Sequence, residues 1–145
     1  MTDLFDALLA SPGRYVGPQT DPTATNPDGS VARIEVTPLP GGTAVSLAYE
    51  VLSPAHGMVH HEHAVLARTM GGLVLVTSHN HSPVTTVIAE TEPGYFPSTE
   101  ATSPFPMAIR LEVPEPGHLV YTWSYGWEDQ PMCVRDIGDV RLLPG

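Results

Sequence analysis

The chain has 145 residues, 41% of them hydrophobic, with sixteen acidic side chains, six arginines and no lysine, for a formal net charge of −10. That size suits one domain (1–145) with a core or a small cavity. The negative field disfavours nucleic acid and anionic membrane surfaces as partners, and no apolar run approaches the ~20 residues that span a bilayer. A single cysteine, Cys133, excludes an internal disulfide framework and fits a reducing, cytoplasmic setting.

In chain order, Asp3 to Ala10 reads as a short helix. Thr2 is its expected cap, Asp3 and Asp6 lie near its positive end, and Leu4, Phe5, Leu8 and Leu9 form its apolar stripe. The acidic N-terminus lacks a basic n-region and a long apolar h-region, and so reads as no secretory signal. After Ser11-Pro12-Gly13 a first strand begins at Gly13-Arg14-Tyr15-Val16-Gly17, and residues 18–29, with three prolines, read as an ordered loop or flexible flap.

Alternation then predicts strands at Val31 to Thr37, with Ala32, Ile34 and Val36 on one face, and after the PLPGG turn, with Val45, Leu47, Tyr49 and Val51 on one face. Residues 56–81 hold six of the seven histidines and read as a hairpin over roughly 57–81 with a turn at Gly71-Gly72. A three-residue loop, Met70 to Gly72, sets His63 opposite His79 and His61 opposite His81, gathering four imidazoles on one face with Glu62 turned to solvent. A two-residue turn at Gly71-Gly72 instead pairs Glu62 with His81 and Ala64 with His79. The first register is preferred because it gathers like residues.

Short strands follow at Val84 to Thr91 and Tyr95-Phe96. A last clear hairpin sets Met107, Ile109, Leu111 and Val113 against Leu119, Tyr121, Trp123, Tyr125 and Trp127. A five-residue loop, Val113 to Gly117, pairs Leu111 with Leu119, Ile109 with Tyr121 and Met107 with Trp123, and leaves Arg110 and His118 facing water. One or two strands around Met132 to Ile137 and Val140 to Leu143 complete the chain. Serial antiparallel hairpins with one short N-terminal helix predict an all-β fold, an up-and-down β-barrel of about 8–10 strands.

The helix running into Gly13-Arg14-Tyr15-Val16-Gly17 resembles the GxWxG motif of calycins, the superfamily of lipocalins, fatty-acid-binding proteins and nitrobindins, with Tyr15 at the Trp position. Residues 18–29, 42–52 and 58–68 look similar to the wide loop, the Gly-started strand and the Met-His-x-Glu-like strand of the nitrobindin branch. The resemblance implies a barrel with a cavity for a small, largely apolar molecule. Its nitrobindin branch implies a ferric haem held by a histidine near the C-terminus, yet no histidine follows His118 here.

Two HxH pairs on facing strands would offer imidazoles to a divalent transition metal such as zinc, which makes His61, His63, His79 and His81 candidate metal ligands. The same four, with Tyr49, Tyr121, Trp123 and Tyr125, are the candidate ligand-binding residues of a cavity that takes a hydrophobic or aromatic molecule. No nucleophile motif, phosphate loop or redox cysteine pair is present. An enzyme reading rests on histidine acid/base or metal-assisted chemistry, an isomerase or cyclase using the same cavity.

Overall fold

The computed structural model describes residues 3–25, 28–82, 84–99, 102–103, 105–127 and 129–145. One helix, α1 (Leu4–Ala10), precedes ten antiparallel strands: β1 (Gly13–Thr20), β2 (Val31–Pro38), β3 (Ala44–Ser53), β4 (Gly57–Thr69), β5 (Gly72–His79), β6 (Thr86–Ala89), β7 (Tyr95–Pro97), β8 (Met107–Glu115), β9 (His118–Trp127) and β10 (Gln130–Leu142). They form a single sheet in the order β6-β5-β4-β3-β2-β1-β10-β9-β8-β7. Each strand pairs with its neighbour in sequence, β1 closes on β10, and β6 and β7 lie side by side without a ladder between them. The expected up-and-down barrel is the observed fold, nearly closed and with its seam at the two shortest strands.

The inward residues of β2 (Ala32, Ile34, Val36) and β3 (Val45, Leu47, Tyr49, Val51) are buried as their alternation predicts. The helix adds Phe5 and Leu8 to this core. Asp3 caps it, accepting from the Asp6 amide, and Arg68 binds both Asp3 and Asp6 with its guanidinium over the Phe5 ring. Thr2, the expected cap, lies outside the described residues. Tyr15, at the resemblance's Trp position, is buried and donates from its hydroxyl to the Ser11 carbonyl at 2.6 Å.

Four expectations about strands need correction. Strand β1 runs on to Thr20 instead of stopping before Pro18. The proline, which has no N–H to give, falls where β1 pairs with Val31 of β2 and where the ladder to β10 skips from Val16 to Gln19. The Val84 to Thr91 strand shrinks to the four residues of β6, while the C-terminal segment, expected as one or two strands, is one that bends through two bulges. In the β8–β9 hairpin both faces are as expected but the pairing is two residues off: Leu111 meets Tyr121, Ile109 meets Trp123 and Met107 meets Tyr125, because an irregularity after Glu112 shortens the loop so that Glu115 pairs with His118.

The fourth correction decides the site. The β4–β5 turn uses Met70 and Gly71, with Thr69 opposite Gly72, so neither anticipated register holds and Glu62 pairs with His79. Thr69 stabilises this turn by accepting from the Gly71 amide and donating to the Gly72 carbonyl, while Gly72 takes φ +121, a region that favours glycine. His60, Glu62, Ala64 and Leu66 therefore face the interior, and His61 and His63 face out.

Closure of β1 on β10 depends on Gly17, whose Cβ, were one present, would sit 2.0 Å from the Asp139 carbonyl oxygen. Gly17→Ala should force the two strands apart and cost about 1–3 kcal/mol, a fall of roughly 2–12 °C in Tm for a protein of this size. Gly71→Ala, with nothing closer than 3.9 Å to the added methyl, should leave Tm nearly unchanged. Thermal unfolding followed by circular dichroism checks both.

Candidate functional site

The interior of the barrel holds one carboxylate with no exposed surface, that of Glu62 on β4. Four side chains donate to it. His60 Nε2 (3.0 Å) and Trp123 Nε1 (2.8 Å) reach Oε1, while the Tyr121 hydroxyl (2.6 Å) and the Thr77 hydroxyl reach Oε2. They come from three strands, β4, β5 and β9, so one charged group joins opposite walls of the barrel. Burial pushes the Glu62 carboxyl up, but His60, Thr77 and Tyr121 outweigh it and hold the group below the usual carboxylate range. Burial, with the Glu62 charge added, raises Tyr121 well above a free phenol.

A second, partly buried carboxylate lies nearer the mouth. Asp136 on β10 accepts from the Tyr49 hydroxyl at 2.7 Å and from Gln19 Nε2 at 3.2 Å. Here burial dominates and lifts Asp136 above its ordinary value. The Tyr49 and Tyr121 rings sit 4.7 Å apart and bring the two carboxylate sites together. Gly138 makes room for this arrangement, since a Cβ there would come within 2.7 Å of the Tyr49 hydroxyl.

Above these sites opens a cavity of about 730 Å³. His60, His79 and His81 stand on one side, and Phe105, Trp123, Tyr125 and Trp127 supply aromatic surface. Asp21, Asp28, Ser30, Gln19, Arg135 and Asp136 line its mouth. The His60 and His79 rings are nearly parallel at 6.1 Å, and His79 meets Trp123 edge to face at 5.0 Å. Arg135 is held over Trp127 and Tyr125 and donates from Nε to the Tyr125 carbonyl. Burial lowers His79 and His81, so both are neutral at neutral pH.

Of the residues that the sequence nominates, His79, His81, Trp123 and Tyr125 line this cavity, whereas Tyr49 and Tyr121 lie beneath it in the core. His61 and His63 do not belong to it. Their Nε2 atoms approach to 3.2 Å on the outer face, because the observed turn reverses which side of β4 faces in. The expected four-imidazole patch is thus divided between two faces, and the four cannot share one zinc ion. Among the described residues no three histidine, cysteine or acidic side chains converge as metal donors. Arg110 faces out, paired with Glu92 and stacked on Tyr95, and His118 bonds Asp139.

Sequence reasoning missed His60, Glu62, Asp136 and the Phe105–Arg135 flank of the mouth. No local signal marks the first two, because Val65 and Ala67 on the opposite face of β4 are as apolar as Ala64 and Leu66 on theirs.

Haem, which the nitrobindin resemblance implies, does not fit these donors. Strand β10 presents Arg135 and Asp136 to the cavity and carries no histidine. Nδ1 of His79 accepts from the His81 amide at 3.3 Å, which leaves a proton, not a lone pair, on Nε2.

No family model and no curated protein matches the sequence. Among solved structures, the crystal structure of Rv2717c from M. tuberculosis is similar, with a TM-score of 0.64 at 17% identity over 95% of this chain and 98% of that chain. The two share a fold. At that identity the likeness says nothing of function. No helix of the described residues is long and apolar enough to cross a membrane.

Two outcomes follow from the buried groups. Glu62→Leu strands four donors and should cost at least about 3–5 kcal/mol, a fall of roughly 6–20 °C in Tm. Glu62→Gln should cost less, since the Thr77 and Tyr121 hydroxyls can turn to accept from the amide nitrogen while His60 and Trp123 keep the carbonyl. Calorimetry of both variants checks this ordering. The second outcome concerns pH. A histidine whose folded pKa is depressed binds protons more readily unfolded, so its contribution is complete above the unfolded value of about 6.5 and is lost as pH falls below it. Tm should therefore fall between about pH 7 and about pH 5, and by less in His79→Phe.

Proposed function

We propose that this barrel binds a small, flat, largely apolar molecule in its open cavity, with the polar end of that molecule against His60, His79 and His81. The observation that carries the reading is the cavity itself, where aromatic side chains of β9 and the 98–106 connection share a space of about 730 Å³ with three imidazoles. That volume falls within the range of small-molecule sites, and a mostly apolar lining with a few fixed polar groups is their usual composition. The full burial of Glu62 and the bonds it accepts from His60 and Trp123 support pre-organisation, because both cavity-lining side chains are held before any ligand arrives. The acidic chain with its lone cysteine suits a cytoplasmic setting and a small-molecule partner instead of a nucleic acid or a membrane surface.

One observation favours a second reading. Glu62 behind His60 is the arrangement in which a carboxylate orients an imidazole for proton transfer, and an acid/base isomerase or cyclase would use the same cavity. Binding without any His60-dependent exchange of ligand protons for solvent deuterium would speak for the first reading over the second.

Titration with the neutral fluorophore N-phenyl-1-naphthylamine tests the binding proposal. Saturable binding at one probe per chain is expected, weakened about tenfold or more by Trp123→Ala through lost stacking and burial and unaffected by His61→Ala on the outer face. Absence of saturable binding, or equal loss in the Trp123 and His61 variants, would overturn it.

A further inference from the structure

Three donors that line the cavity are already committed. His60 Nε2 and Trp123 Nε1 are held by Glu62, and Arg135 Nε by the Tyr125 carbonyl. His79 differs. It is 8% exposed, and its Nε2 is the one buried side-chain nitrogen or oxygen among the described residues that has no hydrogen-bond partner. Of the rings around it, Trp123 at 5.0 Å and Phe105 at 6.4 Å between centroids stand edge to face and offer carbon surface, and the His81 and His60 rings at 5.9 and 6.1 Å make no hydrogen bond to this nitrogen.

The chemical character of that nitrogen follows from the other side of the ring. Because Nδ1 accepts the His81 amide, it uses its lone pair, and the neutral imidazole carries its hydrogen on Nε2. His79 thus holds a tautomer-fixed N–H with nothing to receive it. Leaving a buried donor unpaired is unfavourable in any folded protein, and such exceptions call for a partner that the chain itself does not supply. The ring lines the cavity, and the soft terminal torsion of a histidine allows a small turn of the N–H toward a bound group.

We propose that His79 Nε2 is the ligand's polar anchor and that it selects a hydrogen-bond acceptor: the ligand is a flat aromatic or conjugated molecule carrying a carbonyl or an equivalent acceptor oxygen. This rests on the binding reading above and narrows it to one class of molecule. An acceptor satisfies Nε2–H, whereas a donor at the same place would meet another donor, and a hydrocarbon would leave the N–H as it is.

A pair of nearly isosteric probes tests the assignment. 2-Acetylnaphthalene carries a carbonyl where 2-isopropenylnaphthalene carries a terminal methylene, so their affinity ratio isolates the acceptor once their different hydration is cancelled against a variant. The ketone-to-alkene ratio should be about 2- to 12-fold higher for the wild type than for His79→Phe, the range that one hydrogen bond supplies. His79→Gln, which keeps an N–H donor, should recover part of the preference. Isothermal titration and displacement of N-phenyl-1-naphthylamine give the constants, and unchanged near-ultraviolet circular dichroism shows that each variant is folded. Both probes binding the wild type with a ratio equal to that of His79→Phe would overturn the anchor and leave the binding proposal standing. Neither probe binding would overturn both.

Discussion

A charged carboxylate sealed inside a barrel is costly unless it is fully partnered, and Glu62 is where this molecule meets that condition. Moving an isolated carboxylate out of water carries a penalty of several kcal/mol after relaxation. The four donors that offset it come from β4, β5 and β9. To reach one group they must be brought to it by the correct register of two separate hairpins. The polar centre therefore acts as a constraint on alignment as well as a source of stabilisation: a slip of one residue in β4 would put Glu62 outside and leave Tyr121, Trp123 and Thr77 with buried, unpaired donors. The same bonds orient His60 and Trp123 at the floor of the cavity, so the alignment of the strands and the shape of the site have one cause.

Much of the architecture is legible from period-two alternation. The inward sets of β2, β3, β8 and β9 are stated by their own residues, because on those strands the apolar and polar sides are cleanly separated. The hairpin of β4 and β5 is different. Each face of β4 mixes histidine with aliphatic residues, and the buried face also carries Glu62, so hydropathy points both ways. Grouping the imidazoles by likeness then selects the wrong side. What decides the matter is a set of long-range partners, Tyr121 and Trp123 some sixty residues away, which no local pattern reveals. The two-residue offset at the β8–β9 hairpin has a milder origin, since a shift by two preserves faces and alters only neighbours.

The candidate site divides along the same line. His79, His81, Trp123 and Tyr125 are found from sequence because β5 and β9 alternate clearly. His60 lies on the face of Glu62, which the preferred register turns to solvent. Asp136 and Arg135 escape notice because β10 bends through a bulge between Val134 and Asp136, and a bulge resets the alternation by which an inward side chain is recognised.

Closure of the sheet by β1 and β10 has a consequence for how the chain reaches this state. Every other ladder joins strands adjacent in sequence, but Gln19 pairs with Gly138 and Thr20 with Ile137, so this ladder must bring together segments separated by nearly the whole polypeptide. Hairpins form in microseconds, whereas long-range pairing must first meet the entropy of closing a large loop. The ten strands of the barrel wall can assemble as two meanders, β1 to β6 and β7 to β10, whose first and last strands then dock. That meeting of chain ends carries the largest loop-closure cost of any ladder in the wall, and the short β6–β7 seam is left without a ladder of its own.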